Sequence, residues 1–81
     1  MESSFLLLSC DINKNIDIAG QLSQLSGIKE AIPVSSVYDC VVKTEPIPQD
    51  SLKKLVLSNI RQMDGIHSVL TLNHIPQIIQ N

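Results

Sequence analysis

The side chains of this 81-residue sequence that are best suited to chemistry lie together in the segment SSVYD. It combines the hydroxyls of Ser35 and Ser36, the phenol of the only tyrosine, Tyr38, and the carboxylate of Asp39. An ammonium group would be attracted to Asp39, and a carboxylate to the hydroxyls and to the N–H groups of a turn. The simpler interpretation is structural, with Asp39 capping the turn and Tyr38 packing over a sheet. Spacing leaves both interpretations open.

The two cysteines and two histidines offer little further chemistry. Cys10 and Cys40 form no CxxC pair, but they fall on strands that we expect to be neighbours, so their thiols could approach. Interior thiols and a regulatory disulfide are both possible, and interior thiols are the default for a cytosolic chain. His67 and His74 are seven residues apart in one predicted strand, so they point to opposite faces and cannot form a metal site by themselves.

The sequence contains none of the common catalytic or nucleotide-binding motifs. A P-loop, GxGxxG, HExxH and GxSxG are all missing. We therefore expect a protein that is not an enzyme and that needs no cofactor or metal ion.

Composition excludes two further classes of protein. The net charge is −2 and the six cations are scattered, whereas nucleic-acid binding needs a basic face. The apolar run FLLLSC loosely resembles a lipoprotein cleavage box, but it is too short for a signal peptide or a membrane span. We expect a cytoplasmic chain with no direct contact to nucleic acid or membrane.

Hydrophobic periodicity predicts six elements that would position these side chains. Continuous apolar runs predict strands, and apolar residues at helical spacing predict two helices, each followed by a glycine, Gly27 and Gly65. Asn15 is the expected N-cap of the first helix, and Pro48 and Asp50 suit the first turn of the second. The expected order is strand 4–10, helix 16–26, strands 28–37 and 38–45, helix 48–63, and strand 66–75, with a tail at 76–81.

Two copies of one βαβ pattern make up the chain. QLSGIKEAI at 24–32 is echoed by QMDGIHSVL at 62–70, a spacing of 38 residues. This repeat predicts an α+β, ferredoxin-like βαββαβ sandwich, an antiparallel four-stranded sheet with both helices on one face. With right-handed crossovers, the strand order is 4-1-3-2. Pro33 then lies on an edge strand, where proline is tolerated. We expect residues 1–81 to form a single domain.

The strand faces predict a homodimer. In the first strand Phe5 and Leu7 oppose Leu6, Leu8 and Cys10. In the last strand, strict alternation sets Ile66, Leu70 and Leu72 against Val69, Thr71 and Ile75. One face must carry the helices, which leaves the other exposed and apolar. Because an exposed apolar patch of this size usually marks an interface, we expect two chains to pack sheet to sheet.

Two segments of the sequence carry a resemblance to a known family. LSGIKEAIPVSSVYDCVVKTE is similar to the helix end, strand and Thr-Gly-x-Tyr-Asp hairpin of the C-terminal effector-binding (RAM) domain of the Lrp/AsnC, or feast/famine, family. LVLSNIRQMDGIHSVLTLNHI is similar to that domain's second helix and last strand. The resemblance covers residues 5 to 75.

The resemblance implies a function as well as a fold. It implies dimers that associate into higher oligomers and bind small effectors, typically amino acids, where dimers meet. The matching positions are Ser35, Ser36, Tyr38, Asp39 and Thr71, with residues 66–68 as a weaker extension. Ser36 stands where the family has a glycine, and its Cβ restricts the backbone conformations that glycine allows.

The family's N-terminal helix-turn-helix has no counterpart before the first strand, so we expect any role in transcription to be indirect. One hypothesis is a small-molecule sensing and oligomerisation module. A second is a pure hetero-oligomerisation partner of full-length Lrp/AsnC regulators. An ACT-like amino-acid-binding domain is the alternative at the level of the fold.

Overall fold

The computed structural model of the chain describes residues 2–72. Its elements follow the expected order: β1 Phe5–Cys10, α1 Asn15–Leu22, β2 Ile28–Pro33, β3 Cys40–Thr44, α2 Gln49–Lys54 continuing into a π-helical segment Leu55–Ile60, and β4 Ile66–Leu72. The four strands form one antiparallel sheet in the order β2-β3-β1-β4, which confirms the α+β, ferredoxin-like prediction. Residues 73–75 of the predicted last strand, including His74, and the tail 76–81 lie outside the described residues.

The core lies between the sheet and the helices and is aliphatic. From the strands it takes Leu6, Leu8 and Val42, each fully buried, and from the helices Leu22 and Ile60, also fully buried. The sequence has no Trp, one Phe and one Tyr, and Phe5 is exposed on the far face of the sheet. The core is therefore built from side chains of Leu, Ile and Val, with the two cysteines among them.

Both helices end earlier than the periodicity predicted. Helix α1 ends at Leu22 and the π-helical segment at Ile60, each five residues before the glycine that was expected to terminate it. Gly27 and Gly65 instead have φ near +90° and turn the chain into the next strand. Asn15 is the first residue of α1 rather than its N-cap, which is Lys14. The chain can end each helix early because Leu25 and Met63 continue the turn, with N–H groups that donate to the carbonyls of Leu22 and Ile60.

The second helix contains a π-helical segment that the sequence did not predict. The N–H of Arg61 donates to the carbonyl of Val56, five residues back, at 2.9 Å. The buried pair Leu55–Val56 is followed by Ile60 four residues later, whereas in α1 the pair Ile18–Ala19 is followed by Leu22 after three. The spacing of buried residues in the π-helical segment therefore differs from that in α1.

The internal repeat is also visible in the strands. Lys29 in β2 and His67 in β4 are both extra residues at β-bulges, and they are 38 positions apart. The bulge changes the face of Ile66, which pairs with Cys10 and packs against the core. The prediction that Ile66 shares a face with Leu70 and Leu72 is therefore wrong, because a bulge shifts the alternation by one residue.

Candidate functional site

The loop between β2 and β3, residues 34–39, carries four of the five predicted site residues. Ser35 and Ser36 are exposed, and Tyr38 and Asp39 are half-buried. Tyr38 and Asp39 were expected to begin the third strand, but β3 begins at Cys40. A backbone hydrogen bond from Val34 N–H to the Asp39 carbonyl closes the loop at 2.9 Å, and Ser36 N–H donates to the Tyr38 carbonyl at 3.3 Å.

Asp39 attaches this loop to the neighbouring strand. Its N–H donates to the carbonyl of Leu8 at 2.8 Å, and its Oδ2 accepts a hydrogen bond from the N–H of Cys10 at 2.9 Å. A second anchor comes from helix α1, where Asn15 Nδ2 donates to the Val34 carbonyl at 3.2 Å. Asp39 therefore has a structural role, but its carboxylate anchors the loop to β1 rather than capping the turn, as the simpler interpretation expected. That role does not prevent its carboxylate from also contacting a ligand, since a carboxylate accepts several hydrogen bonds.

Three N–H groups of the loop are not used in its backbone hydrogen bonds. Within the described residues 2–72, those of Ser35, Val37 and Tyr38 donate to no other backbone group. They lie beside the two serine hydroxyls, and N–H groups and hydroxyls together can hold an anionic group. Ser36 has no left-handed backbone, because Asn13 is the one non-glycine residue of residues 2–72 with positive φ. The loop therefore accommodates serine without strain.

Thr71 is separated from the loop within one chain. It pairs with Leu6 near the beginning of β1, whereas the loop contacts Leu8 and Cys10 near the end of that strand. Four residues of strand correspond to about 13 Å. The Thr71 side chain is half-buried on the helix-facing side of the sheet and lines a groove beside α2. The structure thus brings four predicted residues together and leaves the fifth elsewhere in the same chain.

One polar pair near the loop was missed by sequence reasoning. His67 Nε2 lies 2.5 Å from Asp11 Oδ1, at the end of the sheet where Cys10 contacts Asp39. Both side chains are about half exposed, so the pair contributes little to stability. The two residues are 56 positions apart, and His67 is the extra residue at the bulge in β4. Strict alternation along the strand contains no signal for this contact.

The two cysteines are interior thiols. Cys40 is fully buried and Cys10 is 7% exposed, and both are free. Burial, followed by the neighbouring Cys10 and Asp39, raises the pKa of Cys40 to about 11. Burial, followed by the charges of Asp39 and Asp11, also raises the pKa of Cys10. Neutral thiols react slowly, so neither cysteine has the character of a nucleophile.

The described part of the chain contains neither a cluster of metal-ligating side chains nor a membrane-spanning helix. Residues 2–72 include no group of three or more His, Cys, Asp or Glu side chains that could hold a metal ion. The helices in this range are also too short to cross a membrane.

Solved structures match the chain over nearly its whole length. The crystal structure of FFRP-DM1 superimposes with a TM-score of 0.83 and 28% sequence identity, covering 93% of this chain and 100% of that chain. E. coli AsnC matches with a TM-score of 0.79 and 20% identity over 98% of this chain. The chain is thus Lrp/AsnC-like in its fold. Neither a protein-family model nor a curated protein sequence matches it significantly.

This Lrp/AsnC-like domain corresponds to only part of the larger relatives. It spans 55% of AsnC and 52% of the transcriptional regulator NMB0573 from Neisseria meningitidis, whose structure is a complex with L-Met. The regulator matches with a TM-score of 0.75 at 11% identity, which establishes a common fold.

Proposed function

We propose that this Lrp/AsnC-like domain is a non-enzymatic cytoplasmic module that dimerises through its sheet and binds a small effector, an amino acid, at the loop 34–39. Its connection to transcription is indirect, through sensing or through association with DNA-binding relatives. The observation that carries the proposal is the apolar character of the sheet face that the helices leave open.

That face has a continuous apolar row across all four strands. Ile32 of β2, Val41 of β3, Leu7 of β1 and Leu70 of β4 are paired neighbours in the sheet. A parallel row holds Lys43, Phe5 and Leu72.

Four of these side chains are unusually exposed for apolar residues. The exposed fractions are 44% for Phe5, 45% for Ile32, 45% for Leu70 and 44% for Leu72. Packing this face against a second copy removes these side chains from water, which stabilises the dimer at roughly 25 cal/mol per Å² of apolar surface.

The loop 34–39 has the chemistry that an α-amino acid requires. The Asp39 carboxylate can receive an ammonium group, and the Ser35 and Ser36 hydroxyls with their neighbouring N–H groups can receive a carboxylate. The complex of NMB0573 with L-Met supports an amino acid as the ligand class. In a single chain Thr71 lies elsewhere, so a site that includes it requires a second copy of the chain.

Native mass spectrometry with a panel of the L-amino acids tests this proposal, because it reports ligand binding and oligomeric state together. We expect a dimer or a multiple of it, and retention of at least one amino acid. Asp39→Asn keeps an acceptor for Cys10 N–H while removing the charge, and we expect it to weaken binding by about tenfold. A monomer that retains no amino acid would contradict both parts of the proposal.

Ser36→Gly provides a complementary test at the position where the sequence departs from the family. Removing the Cβ gives the loop the freedom of glycine. We expect the affinity for the effector to increase. An unchanged or reduced affinity would show that Ser36 does not restrict access to the loop.

A second candidate, a pure hetero-oligomerisation partner, uses the same open face. It predicts that the chain co-purifies with full-length Lrp/AsnC regulators and that no amino acid is retained.

A further inference from the structure

Among residues 2–72 the sheet has two edge strands, β2 and β4, and their edges are not equally protected. Edge strands expose backbone groups that can pair with another chain, and natural proteins protect them with charges, prolines and bulges. The β2 edge has all three, in the bulged Lys29, in Glu30 and in Pro33. The β4 edge has the bulge at His67, but residues 68–72 include no charged side chain and no proline.

The hydrogen bonds of β1 show which of its residues bond to β4. The N–H of Thr44 donates to the carbonyl of Ser4 on the β3 side, and the N–H of Asp11 donates to the carbonyl of Gly65 on the β4 side, both at 2.9 Å. Backbone groups of successive residues point to opposite sides of an antiparallel strand. The even-numbered residues of β1 therefore bond towards β3, and the odd-numbered residues bond towards β4.

This alternation directs the backbone groups of Val69 and Thr71 to the free edge. Leu70 pairs with Leu7, an odd-numbered residue, so the N–H and C=O of Leu70 point to β1. Those of Val69 and Thr71, on either side of it, point away from β1. Within residues 2–72 no backbone hydrogen bond outside the sheet ladder involves either residue. The edge thus presents two donors and two acceptors in a regular strand.

Apolar surface is uncovered on both sides of the sheet beside this edge. On the open face, Leu70 and Leu72 are 45% and 44% exposed. On the helix side, a groove of about 440 Å³ lies between β4 and the second helix, lined by Thr71 and by Leu57, which is 49% exposed. A strand added at the β4 edge would cover part of both surfaces.

We propose that β4 pairs in antiparallel orientation with β4 of a second copy of the chain, so that two four-stranded sheets join into one continuous sheet. Two-fold symmetry centred on Leu70 places Val69 opposite Thr71 of the partner subunit. Each such pair exchanges two hydrogen bonds. This register engages the free backbone groups of both residues in both copies.

A second copy fits this edge because the strand is complementary to itself. In a two-fold contact the same surface of both subunits meets, so a charge near the axis would meet its own like charge, and residues 68–72 have none. Leu70 ends the apolar row that begins at Ile32, and in this register it meets Leu70 of the partner subunit. The row therefore continues from one subunit into the next.

This contact goes beyond the proposed function and does not depend on it. The joined sheet still has its apolar face open, so it can also pack sheet to sheet. With both interfaces formed, the smallest closed assembly is a tetramer, in which two joined sheets face each other.

Thr71→Pro tests the edge, because it removes an outward N–H and leaves the bonds of β4 to β1 in place. The matched control is Ala31→Pro, at the other end of the row that runs from Ala31 through Val42 and Leu6 to Thr71. By the same alternation Ala31 directs its N–H to the free edge of β2. By native mass spectrometry and sedimentation at micromolar concentration, we expect a tetramer for wild type and Ala31→Pro and a dimer for Thr71→Pro.

Ile32→Glu separates this inference from the proposed sheet-to-sheet dimer, because Ile32 lies on the open face of β2, remote from the β4 edge. We expect Ile32→Glu to give a dimer and its combination with Thr71→Pro to give a monomer. A wild-type dimer that dissociates in Ile32→Glu but not in Thr71→Pro would overturn the edge contact and leave the face standing. Dissociation in Thr71→Pro alone would support the edge and overturn the face. Loss of mass in both proline variants would indicate pairing of β4 with β2, which overturns the symmetric contact.

Amide hydrogen exchange in the wild-type protein provides a measurement that requires no variant to fold. We expect the N–H groups of Val69 and Thr71 to exchange as slowly as that of Leu70, and that of Ala31 to exchange rapidly. Rapid exchange at Val69 and Thr71 would overturn the inference. Slow exchange there, in a protein whose mass Thr71→Pro does not change, would show that another part of the same chain covers the edge, which also overturns it.

Discussion

Asp39 shows how one side chain can serve the fold and a candidate site together. Its carboxylate accepts the N–H of Cys10, and its own N–H donates to Leu8, so both ends of the residue hold the loop against β1. Replacement by alanine leaves the largely buried Cys10 N–H without its acceptor. We expect Asp39→Ala to lower the free energy of unfolding by about 1–3 kcal/mol, measured by urea denaturation.

Asp39→Asn is the control for this effect, because its amide oxygen can still accept from Cys10. We expect it to cost less than half of the alanine value. Equal losses in the two variants would assign the effect to the charge of Asp39 rather than to the hydrogen bond.

Ionisation of Cys40 makes the free energy of unfolding depend on pH in the alkaline range. Its pKa is raised in the folded chain from 9.0 to about 11, so the neutral thiol stabilises the fold fully below pH 9. This contribution is lost as the pH rises from 9 to 11, because the unfolded chain ionises first. We expect the decrease of the unfolding free energy across this interval to be shallower in Cys40→Ala than in wild type. Parallel pH profiles of the two proteins would contradict the burial-shifted pKa.

At the scale of elements, the glycines occupy two kinds of backbone position, one within a helix and one in a turn. Gly20 lies within α1 with no atom within 4 Å of the position of an added Cβ, whereas Gly65 has φ +93°. We expect Gly20→Ala to stabilise by about 0.5–1 kcal/mol. We expect Gly65→Ala to destabilise by about 1–2 kcal/mol, because alanine is strained in the left-handed region.

Thermal unfolding of the two alanine variants checks these opposite signs directly. Gly27→Ala serves as a replicate of the second case, since Gly27 has φ +94° at the equivalent position of the repeat. A stabilised Gly65→Ala would mean that the turn into β4 tolerates another conformation.

At the scale of the whole molecule, the open sheet face is the proposed dimer interface. Leu70 lies in the apolar row and is 45% exposed, so a glutamate there places a charge in the proposed interface. We expect Leu70→Glu to give a monomer by sedimentation at micromolar concentration. Far-ultraviolet circular dichroism should show that the fold is retained, because the side chain does not belong to the core.

Ile16→Glu is the matched control, since Ile16 is 72% exposed on α1, away from the open face. It should leave the dimer intact. If both variants dissociate, the interface does not lie on the open sheet face. If the wild-type protein is itself a monomer, the proposed sheet-to-sheet dimer does not form.

The sequence alone determined the order of the elements, the strand order and the two faces of β1. These features follow from local patterns: period-2 runs, helical stripes and a repeat of 38 residues. The same patterns placed Ser35 and Ser36 in the turn between the second and third strands, with Tyr38 and Asp39 directly after it. They also identified the exposed apolar face, because a sheet of four strands has two sides and the helices cover one.

Only the tertiary structure decided the bulge at His67, the π-helical segment and the position of Thr71. A bulge inserts one residue without changing residue types, so alternation in the sequence misassigns every position on one side of it, as it did for Ile66. The contact of His67 with Asp11 and the hydrogen bond of Asp39 to Cys10 join residues 56 and 29 positions apart. Such contacts depend on strand register, which forms when the whole sheet packs against its helices.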